Sequence, residues 1–258
     1  SPDDFTCRGE ADQVRLNWTN PLPSYNHIDI YRDGQYLAPA SGDDMEYIDA
    51  PLSPGSFSYS IKARLGNSTS DASDCDTVIP EPINTVGTGL LNGRNVLITW
   101  ANPVSDATAV RLFRDGNEIA SVPPTTTAFL DPDLLVGTYT YCVRAEIDDN
   151  YSSLSCANAI VPAPPTDITC TVDNAVTTVT WTNGELYDNI IIMRDGGTIE
   201  EEISGDASSY TDSNPGPGPH LYQVFGRIGD FVSESLDCQV TVPYPPAQLV
   251  CTLANGTD

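Results

Sequence analysis

The chain has 258 residues, with 36 Asp+Glu against 11 Lys+Arg and a formal net charge of −25 at pH 7. So acidic a composition excludes nucleic acid and anionic membrane as default partners, because binding phosphate needs clustered cations. A hydrophobic fraction of 40% that includes 12 Tyr, 6 Phe and 3 Trp excludes wholesale disorder, and no apolar run is long enough to span a bilayer as a helix. The opening Ser1-Pro2-Asp3-Asp4 reads as a mature or trimmed end, not a signal peptide.

In chain order, Val14-Arg15-Leu16-Asn17-Trp18 is the first clear alternation of apolar and polar residues, the pattern of a half-buried strand. Ile28-Asp29-Ile30 follows and runs into Arg32-Asp33-Gly34. Its Asp-Gly pair tolerates positive φ at both turn positions and predicts a tight type I′ hairpin. Tyr47 and Asp49 precede a Gly/Pro turn, Tyr59-Ser60-Ile61-Lys62-Ala63 alternates again, and the set closes at Val78-Ile79-Pro80.

The same features then recur. Trp18 returns as Trp100 and Trp181, at spacings of 82 and 81; Arg-Asp-Gly returns at Arg114 and Arg194, at spacings of 82 and 80. Phe129…Asp131 and Tyr210…Asp212 repeat the aromatic–Asp pair, and Tyr141 and Tyr222 repeat Tyr59. One order at one period marks a tandem repeat. The predicted repeats are 1–81, 82–163 and 164–243. Residues 244–258, with Pro245-Pro246 and Cys251, read as the first strand of a truncated fourth repeat or as an inter-subunit segment. No stretch has a 3.6-residue period, so the expected fold is all-β. About seven short strands per repeat, with a Trp on an early one, describe a two-sheet sandwich.

These residues resemble fibronectin type III modules. The match lies in strand B (Trp18, Trp100, Trp181), the strand C pattern ahead of Arg-Asp-Gly, strand F (Tyr59, Tyr141, Tyr222) and a Ser-rich closing strand. The resemblance implies a tandem array of seven-stranded antiparallel sandwiches, fibronectin type III or immunoglobulin-like. The cysteines depart from it, since most modules of that family lack them.

Cys7 and Cys75 stand at the same offsets from Trp18 as Cys170 and Cys238 do from Trp181, which predicts two bridges from the first strand of a repeat to its last. Repeat 2 has Gly89 in place of the first cysteine but gains Cys142 on strand F, so Cys142–Cys156 is the expected replacement. Cys251 is left unpaired in this chain, and its partner is expected beyond residue 258. No Cys-x-x-Cys spacing supports zinc. Disulfides persist in oxidising surroundings, so the expected location is extracellular or the cell surface.

No catalytic motif emerges: neither Gly-x-Ser-x-Gly, nor His-Glu-x-x-His, nor a phosphate-cradling loop is present. His27 and His220 fall in different repeats and read as surface or strand-edge residues. The recurrence of Arg-Asp-Gly is accounted for by its turn. Acidic runs such as Asp43-Asp44-Met45-Glu46 and Asp131-Pro132-Asp133 offer oxygen ligands for Ca²⁺ without any fixed ligand spacing, so no cofactor is expected. Four Asn-x-Ser/Thr sequons, at Asn17, Asn67, Asn150 and Asn255, are candidate glycan acceptors. Asn67 and Asn150 share the F–G turn.

The expected function is structural and non-catalytic: a glycosylated extracellular fibre, stalk or adhesin shaft. Its units would be joined by Pro-rich seams at Pro80-Glu81-Pro82, Pro162-Ala163-Pro164-Pro165 and Pro243-Tyr244-Pro245-Pro246. Self-association into a filament, or neighbouring repeats of a longer chain, are the expected partners. The alternative is a spacer or carbohydrate-binding region of a secreted enzyme, for which Tyr25, Tyr36 and Tyr151 are the candidate sugar-stacking residues.

Overall fold

A computed structural model describes residues 1–22, 25–101 and 104–245. Asn102, Cys251, Asn255 and nearly all of the expected fourth-repeat segment lie outside the described residues.

Every described element is a β-strand. Repeat 1 contains β1 (Asp3–Glu10), β2 (Gln13–Thr19), β3 (His27–Arg32), β4 (Gln35–Ser41), β5 (Glu46–Asp49), β6 (Gly55–Leu65), β7 (Ser68–Thr69) and β8 (Ser73–Ile79). Repeat 2 follows as β9 (Asn84–Leu91), β10 (Asn95–Ala101), β11 (Ala109–Arg114), β12 (Asn117–Val122), β13 (Ala128–Asp131), β14 (Gly137–Ile147), β15 (Asn150–Tyr151) and β16 (Ser155–Val161). Repeat 3 contains β17 (Thr166–Asp173), β18 (Val176–Thr182), β19 (Asn189–Arg194), β20 (Gly197–Ser204), β21 (Ser209–Asp212), β22 (Gly218–Ile228), β23 (Phe231–Val232) and β24 (Leu236–Val242).

In repeat 1 a sheet β1-β2-β5 faces a sheet β4-β3-β6, with β7 and β8 both paired to β6. Repeat 3 has the same order, β17-β18-β21 against β20-β19-β22 with β23 and β24. Repeat 2 has β9-β10-β13 and β12-β11-β14, with β15 and β16 on β14; here β15 also pairs in parallel with β1, merging two sheets into one of eight strands.

Each repeat therefore shows eight described strands where seven were expected. A serine breaks the closing strand. Ser70 donates its N–H to the Ala63 carbonyl, and its Oγ accepts the Ala63 N–H at 3.0 Å in place of a backbone carbonyl. Ser152 does the same at Ala145, and Ser233 at Gly226. Each hydroxyl then donates to the carbonyl of the next residue. The ladder is interrupted there and restarts as β8, β16 or β24.

By packing, the chain divides into two compact units. The first comprises Ser1–Thr88, Leu97–Asp131 and Tyr139–Ala159; the second comprises Gly89–Val96, Pro132–Thr138 and Ile160–Asp258. In the first, the alternation on β2 puts Val14, Leu16 and Trp18 inward against Ile28, Ile30, Tyr59, Ile61 and Ile79. In the second, Val179 and Trp181 on β18 meet Ile190, Ile192, Tyr222 and Val224. Each such side chain contributes about 1.5–3 kcal/mol by leaving water.

Candidate functional site: an inter-sheet clasp and a seam between repeats

The Arg-Asp-Gly turn does more than reverse the chain. Asp33 and Gly34 hold φ of 52° and 75°, Asp115 and Gly116 hold 51° and 79°, and Asp195 and Gly196 hold 53° and 80°, as a type I′ turn requires. The Asp33 carboxylate accepts the Ser58 N–H at 3.0 Å, and Asp115 and Asp195 bind Thr140 N and Leu221 N at 2.9 Å. The turn is thereby tied to strand F.

The arginine reaches further. Arg32 on β3 donates to Asp49 Oδ2 on β5 at 2.7 Å, and the buried Tyr59 hydroxyl on β6 donates to the same oxygen at 2.8 Å. Arg114, Asp131 and Tyr141 repeat this at 2.7 and 2.7 Å. Arg194, Asp212 and Tyr222 form the third copy. The carboxylate belongs to one sheet and both donors to the other, so the trio clasps the sandwich shut. Burial, and then the neighbouring Asp49 or Asp131 carboxylate, push the phenols of Tyr59 and Tyr141 far above the usual tyrosine range. Burial alone would raise the Asp212 pKa; hydrogen bonds from Tyr222, the Asn214 N–H and Arg194 outweigh it and hold the carboxyl below its usual value.

The second feature occurs once. The hairpin between β14 and β15 docks on the β1 edge within the first compact unit. The Ala11 N–H donates to the Tyr151 carbonyl at 2.9 Å. Asn150 is the centre of this seam: its Oδ1 accepts the Gly9 N–H and the Thr77 hydroxyl, both at 2.7 Å. Its amide nitrogen donates to the Ile147 and Asp148 carbonyls at 2.9 and 3.2 Å. Gly9 is required here, since an added Cβ would overlap the Val78 carbonyl. Arg8 donates to the Asp149 carbonyl at 2.9 Å.

Tyr151 carries the cationic side of the seam. The guanidiniums of Arg144, Arg8 and Arg111 stand 4.0, 4.9 and 5.4 Å from its ring centroid, so repeat 1 supplies one cation and repeat 2 supplies two. Arg111 is held by Glu146, at 2.5 and 3.1 Å, and by Glu118, at 3.0 and 3.2 Å. Arg144 also lies 5.1 Å from the Phe113 centroid, so its cation contacts two aromatic rings. In the second unit, the tight turn at Gly93 likewise lies against Glu234, whose backbone an added Cβ would strike. There β9 and β23 form no shared ladder among the described residues.

The structure pairs Cys7 with Cys75, Cys142 with Cys156 and Cys170 with Cys238. Among the sequons, Asn67 is exposed in its turn, Asn17 is half-buried on β2 opposite Thr6 and Glu46, and Asn150 is engaged in the seam. His27 lies 3.3 Å from Asp29, which Arg64 also pairs. His220 is no free surface residue: it sits between Asp195 Oδ2 at 2.7 Å and the Gly216 carbonyl at 3.1 Å. That contact, with the Leu221 N–H, lowers the Asp195 pKa. Of the three aromatics considered for sugar stacking, Tyr25 and Tyr151 are buried; Tyr36 is exposed and packs edge-on against Tyr31. Of the acidic runs, Asp44 caps the Ser41 N–H at 2.7 Å and Asp131 belongs to a clasp. Among the described residues no three His, Cys, Asp or Glu side chains converge as a metal site.

Each repeat is a fibronectin type III-like sandwich, as the pairing of β1-β2-β5 against β4-β3-β6-β8 and its recurrence establish. No family model matches the chain, and no curated protein matches it. Among solved structures it is similar to the central fibronectin-III array of RIM-binding protein, with 17% identity over 95% of this chain and 97% of that one and a TM-score of 0.28. It is similar also to the FN1–FN3 domains of chicken CNTN1 (15% identity, 94% and 98% covered, TM-score 0.34). A two-domain fibronectin type III segment of chicken tenascin aligns at 13% identity over 62% of this chain and 98% of that one, with a TM-score of 0.32.

Proposed function

We propose that the chain is a non-catalytic structural array outside the cell, a stalk, fibre or adhesin shaft that carries tension and holds its ends apart. The observation behind this reading is where the disulfides lie. Cys7–Cys75 and Cys170–Cys238 each join the first strand of a repeat to its last across a sequence separation of 68. Force entering such a repeat at one end and leaving at the other passes through the bridge, and the chain between stays folded. Cys142–Cys156 spans a separation of only 14 and leaves most of repeat 2 free to extend. The bridges also support an oxidising location.

Single-molecule stretching from the two chain ends tests this. The oxidised protein should give one long extension, on the order of 200 Å, from repeat 2. Added reductant should give three long extensions. Three long extensions before reduction would overturn the reading. Association of such chains into a filament belongs to the same proposal, and negative-stain microscopy at micromolar concentration checks it. The carbohydrate-binding alternative is weakened by the burial of Tyr25 and Tyr151, since a ring within the protein cannot stack on a sugar.

A further inference from the structure

Two sequons occupy the same hairpin in successive repeats, and their surroundings are opposite. Asn67 lies in the turn between β6 and β7, exposed, and among the described residues nothing hydrogen-bonds its carboxamide. The third residue of that sequon, Thr69, is exposed as well. Asn150 has both ends of its carboxamide occupied, Oδ1 by Gly9 and Thr77 and Nδ2 by the Ile147 and Asp148 carbonyls. The third residue of its sequon, Ser152, is 2% exposed and spends its hydroxyl in the strand break, accepting from Ala145 and donating to Ser153.

We infer that Asn67 is an acceptor for N-linked sugar, whereas at Asn150 sugar and a closed seam exclude each other, so that Asn150 serves as the seam's positioning residue. The chemistry decides it. Transfer from a lipid-pyrophosphate-linked oligosaccharide forms a bond between the asparagine Nδ2 and the anomeric carbon. The pyrophosphate leaves with the electron pair of the broken C–O bond, and Nδ2 gives up one proton. A glycosylated Asn150 keeps a single N–H for two carbonyls and must place a sugar ring where the turn now closes on the amide. Swinging the side chain outward to make room removes the acceptor of Gly9 N–H and Thr77 hydroxyl. At Asn67 the same modification disturbs no bond.

The Asn67 half rests on the extracellular reading, so the test forces secretion. The chain is expressed in a eukaryotic secretory host, the disulfide-complete protein is purified, and occupancy is read by enzymatic deglycosylation in ¹⁸O water followed by peptide mass spectrometry. Amide hydrogen exchange is measured on the same preparation. Sugar on Asn67, bare Asn150 and slow exchange at Gly9 and Ala11 are expected. Asn67→Gln should remove the sugar and leave both amides slow. Asn150→Gln should speed both by tenfold or more, and Asn150→Asp, which keeps the acceptor but lacks the donor, should speed them less. Molecules that do carry sugar on Asn150 should show the fast exchange of the Gln variant. Sugar on Asn150 with a slow Gly9 amide would overturn the exclusion, as would an Asn150→Gln protein with unchanged exchange. An unmodified Asn67 would overturn the acceptor assignment while leaving the tension-bearing reading intact.

Discussion

Arg32 and Asp49 stand on opposite sheets of one sandwich and meet at 2.7 Å, with Asp49 almost wholly shielded from water. Arg114 and Asp131 do the same in the next repeat at 2.7 Å. A charge pair so placed is costly to break, because removing one partner leaves the other buried and uncompensated.

Truncating the clasp should therefore destabilise its own repeat. Tyr141→Phe removes one hydrogen bond to a charged group, worth about 1.5–3 kcal/mol. Arg114→Met strands Asp131, at the lower end of the roughly 3–5 kcal/mol seen for broken buried pairs, because Arg114 is about one-third exposed. Hydrogen exchange resolved by repeat, under denaturant, should show repeat 2 opening first in both variants.

Alkali should loosen the clasps. A phenol whose folded pKa lies above its unfolded value of about 10 contributes stability in full below that value, and loses it as pH rises toward the folded pKa. Tyr59 and Tyr141 are in that position. Urea midpoints should fall as pH rises above about 10, and the double variant Tyr59→Phe/Tyr141→Phe should flatten that fall.

Acid should act on repeat 3 through Asp212. Its carboxyl is held below the ordinary value, so the stabilisation is complete above the unfolded pKa of about 3.9 and is lost as pH drops through the folded one. NMR titration of the Asp212 carboxyl carbon should place its midpoint below the ordinary aspartate value of about 3.9. A midpoint at or above that value would contradict the assignment.

Gly9→Ala should cost about 1–3 kcal/mol, since the new methyl must displace the Val78 backbone. The same change should disturb the Asn150 bond to the Gly9 N–H and raise exchange at Ala11.

Salt should stabilise the chain. With 36 carboxylates against 11 cations, self-repulsion favours expansion, and it is screened over a Debye length of about 10 Å at 0.1 M. Buried clasps are screened far less. Melting temperatures should rise between 0.05 and 1 M NaCl on the order of a few degrees.

Much of this was legible in the residues. The period of Trp18, Trp100 and Trp181 gave the repeat, the Asp-Gly turns gave their positive φ, the offsets of the cysteines gave Cys7–Cys75 and Cys170–Cys238, and the gain of Cys142 on strand F gave Cys142–Cys156. The clasp has a sequence signature as well: Arg to Asp at 17, 17 and 18 residues and Asp to Tyr at 10 throughout is a fixed pattern. Its meaning was hidden because the turn alone accounts for Arg-Asp-Gly. Ser70, Ser152 and Ser233 recur equally regularly, but a serine that replaces one backbone acceptor leaves no hydrophobic signature. The seam had no sequence signal at all. Arg8, Asn150 and Tyr151 occur in that role once, lie 73 or more residues from their partners across the contact, and depend on two separate strands meeting.

The hairpin that holds the seam is itself cross-linked. Cys142 and Cys156 brace the strands β14 and β16, from between which Asn150 and Tyr151 project toward repeat 1. Repeat 2 thus gives up an end-to-end bridge and gains a stiffened arm. Reduction of that bond would leave the hydrogen bonds of Asn150 to Gly9 and Thr77 in place and remove only the covalent brace behind the arm that makes them.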